Sequence, residues 1–375
     1  MKRFIHICII AALAAGTVSC ARETAVNGPQ EFPTRGFMEV ELSTDGDADN
    51  QQEIHSVRLI IFNEASTVPE LEFNGTIPLD NPDGVATELS VLIRTKVNLD
   101  KMVCVLVNEP AELTETIREI STPEELRDLS YGFAQILNEN PWTLKETGMP
   151  MSGVVRGVEV WSENNPEFRA SKVDMVIERV VARVDFLLRV LDEGAKTGYT
   201  SGVTTVKLEN TWTDGALVRG NRENGTWRNT EHPEKNFGQL YGVSGPEVFP
   251  SVPSKWKEWA AASTRTLTYD AAEPKNNIVP VCSFYTAERD CSTDDLRLKL
   301  VVDKVKRGED LAFGENTFVL KDFVDEKGKD AVLDYIERNH VYRIVGTVKK
   351  DQPILFGEIT VSGWRDREDV DFPIN

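Results

Sequence analysis

Much of this chain alternates apolar and polar residues with a period of two, the spacing that sets one strand face on a core and the other in water. Met38, Val40 and Leu42 alternate with Glu39 and Glu41. After an acidic loop at residues 45–50, a second apolar run covers residues 57–62, and further strands are expected at 88–93 and 102–107. One helix stands out at residues 122–129. There Thr122 can cap, Pro123 suits the first turn, and Glu125 completes a capping box. Residues 140–157 and 162–166 are broken by Pro, Gly and Asn and predict irregular chain.

Residues 172–190 are dense in β-branched and apolar side chains, but their phase slips. Met175 and Ile177 share one phase, whereas Val180, Ala182, Val184 and Phe186 share the other. A one-residue slip predicts a bulge, or a strand passing from one sheet to the next. A domain boundary is expected just before it, near residue 172. The second half reads as strands at 203–208, 265–268, 278–284, 296–302, 341–348 and 358–361. A short helix is expected at 330–337, and residues 220–257 form a long polar insertion. No fixed-period repeat is visible. The fold class is all-β with minor α: two tandem antiparallel β-sandwich domains, residues 37–171 and 172–375.

The first residues break this pattern. Met1-Lys2-Arg3 is basic, residues 4–16 are apolar and carry no formal charge, and Thr17-Val18-Ser19-Cys20 ends the run in small residues. That sequence describes a secretory signal peptide over residues 1–19, too short to span a bilayer. Cys20 at the exit resembles the lipidated cysteine of a bacterial lipobox. The mature chain is then expected to begin at Cys20 and to hang from a membrane by palmitate-type acyl chains. Each buried CH₂ contributes about 0.8 kcal/mol, so several chains anchor firmly. Residues 20–36 carry Thr24, Gly28, Pro29 and Pro33 and read as a tether.

Composition narrows the chemistry. The 375 residues exceed one typical core, and a hydrophobic content of 40% is enough to fill two. The net charge of -19 comes from scattered carboxylates and argues against nucleic acid as a partner. The mature chain has three histidines, His55, His232 and His340, none at metal-ligand spacing from another His or Cys. No nucleophile elbow, phosphate-binding glycine loop or zinc-protease helix motif occurs. The Asp45, Asp47, Asp49 loop fails as a calcium loop, because Asn50 and Ser56 stand where glycine and glutamate are required. No metal, cofactor or catalytic residue is therefore expected. Cys104 lies in an apolar run and reads as a core residue. Cys282 and Cys291 are nine apart, and an exported protein could join them in a disulfide. Spacing alone leaves that open.

Several segments together resemble the fimbrillins of Bacteroidales-type (type V) fimbriae. They are Met149-Pro150-Met151-Ser152-Gly153, residues 177–185 (Ile-Glu-Arg-Val-Val-Ala-Arg-Val-Asp), Phe284-Tyr285 with Glu288, and residues 338–344 (Arg-Asn-His-Val-Tyr-Arg-Ile) with Trp364 downstream. Val105-Leu106-Val107-Asn108 also fits. The resemblance implies transthyretin-like sandwiches, a lipoprotein precursor carried to the outer membrane, and head-to-tail assembly with other fimbrial subunits, as a homo- or hetero-polymer, by donor-strand exchange. In that scheme a protease removes an early strand, commonly after arginine, and a neighbour's strand fills the vacated groove. Such a contact does not close, so it grows a filament.

Carried onto this chain, the displaceable strand is Met38, Val40 and Leu42, and the candidate C-terminal donor is Val370, Phe372 and Ile374. The alternative for that last segment is the closing strand of domain two. No arginine lies in residues 44–57. The nearest are Arg35, the candidate cut site, and Arg58 in the next strand. Cutting after Arg35 would leave the groove full. The chain then reads as an uncleaved anchor or terminating subunit, or as a shaft subunit cut by a different protease. The lid requires that residues 37–43 not be sewn between two strands. If they are, a tethered, non-assembling surface protein is the better description.

Three functions are weighed: a fimbrial subunit serving adhesion through a host protein or glycan, a glycan-binding surface lipoprotein, and a hydrolase. The second would show two or more of Trp142, Trp161, Trp227 and Trp256 coplanar on an open face. The third needs converging carboxylates. The ordered motifs favour the first, a non-enzymatic role.

Overall fold

In the computed structural model of the chain, the alternating segments become strands arranged in two β units. The structure describes residues 6–7, 35–44, 54–65, 67–79, 88–136, 148–162, 171–190, 199–200, 206–211, 214–219, 237–241, 266–267, 278–302, 305–307, 310–313, 316–324, 330–348 and 355–363. The elements used below are β1 (Arg35–Thr44), β2 (Val57–Asn63), β3 (Glu70–Ile77), β4 (Glu88–Lys96), β5 (Asn98–Val107), α1 (Thr114–Glu119), α2 (Pro123–Asp128), β6 (Ser130–Gly132), β7 (Met151–Val160) and β8 (Ser171–Arg179). They continue with β9 (Val181–Val190), β10 (Val206–Thr211), β11 (Asp214–Ala216), β12 (Phe237–Tyr241), β13 (Ile278–Ala287), β14 (Lys299–Val302) and β15 (Asn316–Val319). The last four are β16 (Asp322–Val324), β17 (Asp330–Val332), β18 (His340–Val348) and β19 (Leu355–Gly363).

The first unit is a two-layer sandwich. One layer runs β4-β1-β8 and the other β7-β5-β2-β3, and the layers are joined where β7 meets β8. His6–Ile7 adds two residues in parallel to the outer edge of β4. Between the layers lie Met38, Val40, Leu42, Val91, Val173, Val103, Val105, Leu59 and Ile61. Strands β2 and β5 are apolar on both faces rather than alternating, and the packing explains why. Their other face (Ile60, Phe62, Met102, Cys104, Leu106) is covered by Ile117 of α1, Leu126 of α2, and residues of the second unit including Val181, Leu217, Tyr285 and Val341. Helix α2 starts as its capping box predicts. Thr122 Oγ1 accepts from the Glu125 amide at 3.2 Å, and Glu125 Oε2 accepts from the Thr122 amide at 3.2 Å.

The second unit has a six-stranded sheet, β13-β9-β18-β19-β16-β17, and a four-stranded sheet, β12-β10-β14-β15. The phase slip in residues 172–190 is the passage between units. β8 pairs with β1 and β7, Val180 turns, and β9 pairs with β13 and β18. The change of sheet thus falls at Val180 rather than near residue 172. Both β1–β8 and β9–β18 are parallel, so the sheets are mixed rather than wholly antiparallel.

Two local expectations are overturned. Residues 330–337 form no helix: β17 pairs antiparallel with β16, and Tyr335–Ile336 pairs with Arg289–Asp290. Ladder partners distant in sequence outweigh the local helix pattern. Residues 151–157, expected to be irregular, belong to the strand β7 (Met151–Val160). Its Gly153 reads as a breaker but serves close packing, because a Cβ there would lie 2.7 Å from Met175 Sδ.

Burial leaves a pH signature. It pushes the Cys104 and Cys291 thiols up to about 12 from 9.0, and lifts the Tyr131 and Tyr342 phenols above 10.0. The folded values exceed the unfolded ones. The stability these groups contribute is therefore complete below the unfolded values and is lost as pH climbs through them toward the folded values. The slope is up to about 1.4 kcal/mol per pH unit per group. Urea unfolding is expected to show a clearly lower midpoint at about pH 10.5 than at about pH 8; an unchanged midpoint would refute the burial of these groups.

Candidate functional site

Strand β1 carries the predicted displaceable residues, and its setting decides what they can do. Met38, Val40 and Leu42 point inward at 0%, 1% and 3% exposure. Val40 lies in register between Val91 of β4 and Val173 of β8, and Leu42 between Leu89 and Met175. The apolar rows therefore run unbroken across three strands. On the outer face, Lys172 Nζ reaches Glu41 at 2.9 Å and Glu39 at 3.9 Å, and the Ser90 hydroxyl donates to Glu39 at 3.2 Å. The Arg94 guanidinium stands over the Phe37 ring at 5.9 Å.

Here the sequence expectation is corrected. β1 is not a lid with a free flank: it is paired on both sides, with nine residue pairs to β4 and seven to β8. Stripping its three inward side chains from the core alone costs roughly 5–9 kcal/mol. That is comparable to the whole stability of a domain, about 5–15 kcal/mol. The strand does not peel off by thermal fluctuation.

The cut-site candidates follow the same logic. Arg35 is the first residue of β1, with its backbone in register with Lys96. Arg58 is 4% exposed and held by a fork of two bonds to Glu109, at 2.6 and 2.9 Å, so no protease reaches it in the folded chain. Cys20, the acidic loop at 45–50, Trp142, Trp227, Trp256, Trp364 and the donor candidate Val370, Phe372, Ile374 lie outside the described residues. Cys291 is a free, buried thiol that donates to the Leu333 carbonyl at 3.2 Å. The disulfide left open by the sequence is not formed.

The motif segments that look separate in sequence meet in one buried junction. Asn108, in a left-handed conformation (φ 53°), accepts from the His55 amide at 2.8 Å and donates to the Met149 carbonyl at 3.0 Å. The Val180 amide donates to the Pro150 carbonyl at 3.1 Å, and the Tyr131 hydroxyl to the Val180 carbonyl at 3.1 Å. Within the second unit the Asn339 amide donates to the Val181 carbonyl at 2.8 Å, and across the unit boundary Arg179 donates to the Asn339 side chain at 3.1 Å. Arg338, fully buried, donates to Ala216 at 2.8 Å and meets Glu288 Oε1 at 2.7 Å, a charge contact outside hydrogen-bond alignment. Ser152 donates to Leu217 at 2.7 Å, and β6 pairs with β11 beside it. Arg183 pairs with Asp185 at 2.8 Å, both 2% exposed. Of these contacts, Ser152 with Leu217 and with Arg338, Arg179 with Asn339, and the β6–β11 ladder join the two units. Among the described residues, no three of His, Cys, Asp and Glu are grouped to hold a metal. The motifs were legible one by one; the missing signal was their convergence, together with Tyr131, Leu217 and Arg219, which no motif marked.

No family model and no curated protein matches the chain. Solved structures do. The tip fimbrial protein Mfa3 of Porphyromonas gingivalis, with a C-terminal truncation, superposes with a TM-score of 0.54 at 13% identity, covering 88% of this chain and 100% of that one. A Parabacteroides distasonis protein assigned to cell adhesion gives 0.51 at 15% identity, over 89% of this chain and 98% of its own. A second from that organism, likewise assigned, gives 0.52 at 11%, over 88% and 100%. At these identities the likeness establishes the fold: the chain has the all-β architecture of Bacteroidales fimbrial and cell-adhesion proteins.

The junction makes a quantitative claim. Removing one partner of a buried pair leaves an uncompensated charge, so Glu288→Ala is expected to cost about 3–5 kcal/mol. Urea unfolding measures it, and a loss below about 1 kcal/mol would show that the pair contributes little to the buried junction.

Proposed function

We propose that the chain is a cell-surface fimbrial subunit serving adhesion, and that it stands at an end of the fibre with β1 kept in place. The observation that carries this reading is the pairing of β1 on both flanks, taken with the lack of arginine in residues 44–57: as far as accepting a neighbour goes it meets the condition set for a non-assembling protein, and it leaves donation from the C-terminus as the route into a fibre. The fold shared with a tip fimbrial protein supports the fimbrial part. On this reading Cys20 is lipidated, residues 20–36 are the tether, and the mature chain remains at the outer membrane. Its slot is filled by its own strand and accepts no neighbour. Its C-terminal strand, with Val370, Phe372 and Ile374 on one face, is the donor to the next subunit; Pro373 keeps it at an edge. A subunit that donates but cannot accept ends a head-to-tail polymer. The role asks for no catalysis and no cofactor.

The full-length precursor, treated with an arginine-specific protease and run unboiled on a denaturing gel, is expected to lose no more than residues 1–35 and to form no ladder. Mixed with a fimbrial shaft subunit whose slot has been emptied, it should give a heat-stable heterodimer that deletion of residues 368–375 abolishes. A ladder from this chain alone, with β1 released, overturns the end position. Failure to join any shaft subunit overturns the fimbrial assignment.

A further inference from the structure

The sandwich has an opening that neither β1 nor the junction uses. Strands β7 and β8 pair only at Met151 with Arg179 and Ser152 with Glu178. Beyond that point β7 follows β5 and β8 follows β1, so the two layers part. A cleft of about 640 Å³ results, within the range of small-ligand sites. Trp161, at the end of β7, lines it and is 50% exposed. Its backbone is held in place, because Gly36 of β1 leaves no room for a side chain against the Trp161 carbonyl. Gly157 (φ 70°) opens the wall, and a Cβ there would meet nothing within 4 Å.

The polar lining is divided. Arg156 is engaged by Glu64, and Lys172 by Glu41 at 2.9 Å. Glu159 and Asp174 are exposed and make no ion pair among the described residues. Ser171 Oγ is buried and has no hydrogen-bond partner. The cleft thus offers one aromatic platform, two uncommitted carboxylates and a hydroxyl.

We propose that this cleft binds a neutral glycan, stacked on Trp161 and hydrogen-bonded through Glu159, Asp174 and Ser171. A pyranose presents one face of C–H bonds to the negative face of an indole ring. Its hydroxyls donate to carboxylates in charge-assisted bonds. The uncommitted charges are negative, so a sialylated sugar is repelled. A peptide strand fits poorly. β7 shifts register between Lys101 and Val103 of its partner, and the β8 rim carries Lys172 and Asp174; bulges and charges of this kind blunt a sheet edge against strand addition. The inference supplies a ligand class for the adhesive reading. Its test uses the soluble chain rather than fibres, so the two can fail separately.

An array of neutral and sialylated oligosaccharides, probed with the full mature chain carrying Cys20→Ala, is expected to retain the protein on neutral glycans. Trp161→Ala should weaken that binding about tenfold or more, with an unchanged urea midpoint. Should that variant fail to fold, the pair Glu159→Gln with Asp174→Asn replaces it. Retention only on sialylated glycans, no retention at all, or equal binding by a folded variant each overturns the proposal.

Discussion

Two backbone ladders on one strand govern what this molecule can do. β1 is bonded to β4 on one side and to β8 on the other, and its inward row continues theirs. An edge strand has one ladder to lose, whereas an interior strand has two, and both flanks would be left with unmatched donors and acceptors. If β1 were ever removed, the vacancy would be a slot bordered on both sides. Such a slot admits one strand and excludes a sheet edge. The geometry that makes spontaneous release costly would also make a replacement strand specific, because it must satisfy two registers at once. In this chain the slot is filled by its own residues, and the surrounding sequence offers no arginine with which to empty it.

The second constraint is the junction. Arg338, Glu288, Ser152 and Asn339 come from distant parts of the chain, yet they share one buried site. Burying several charges costs desolvation energy that apolar side chains would avoid. What they provide is direction. Arg338 reaches the Ser152 hydroxyl, and Arg179 reaches the Asn339 side chain, so the second unit has one set of hydrogen-bond partners against the first. An apolar contact such as that of Phe62 with its neighbours tolerates sliding; this network does not. A subunit that transmits pull along a fibre gains from such a joint.

How much of this was legible depends on where the deciding partners lie. The inward set Met38, Val40 and Leu42 was readable because period-two alternation is local. Its neighbours were not, because β8 follows more than a hundred residues later and parallel pairing leaves no turn signal. The α2 start was readable from Thr122 and Glu125, whose bonds are local. Residues 330–337 misled for the opposite reason: the apolar spacing of Val332, Leu333 and Ile336 suits a helix, but the ladder to β16 comes from outside the window. Strand β7 was hidden by its own glycines, which serve tight packing at Gly153 and a bulge at Gly157. The phase slip at Val180 was the most informative single irregularity, since it marks the change of sheet itself.

The cleft beside Trp161 is a consequence of the same topology rather than an addition to it. β8 runs beside β1 from Ser171 to Ile177 but meets β7 only at Glu178 and Arg179, so its other edge and the end of β7 part and leave the recess. β1 thus does two things: it fills the slot, and its ladder fixes β8, which is one wall of the recess. On the end-subunit reading proposed above, no neighbour would hold that wall from outside, so the recess would depend on a strand of the same chain.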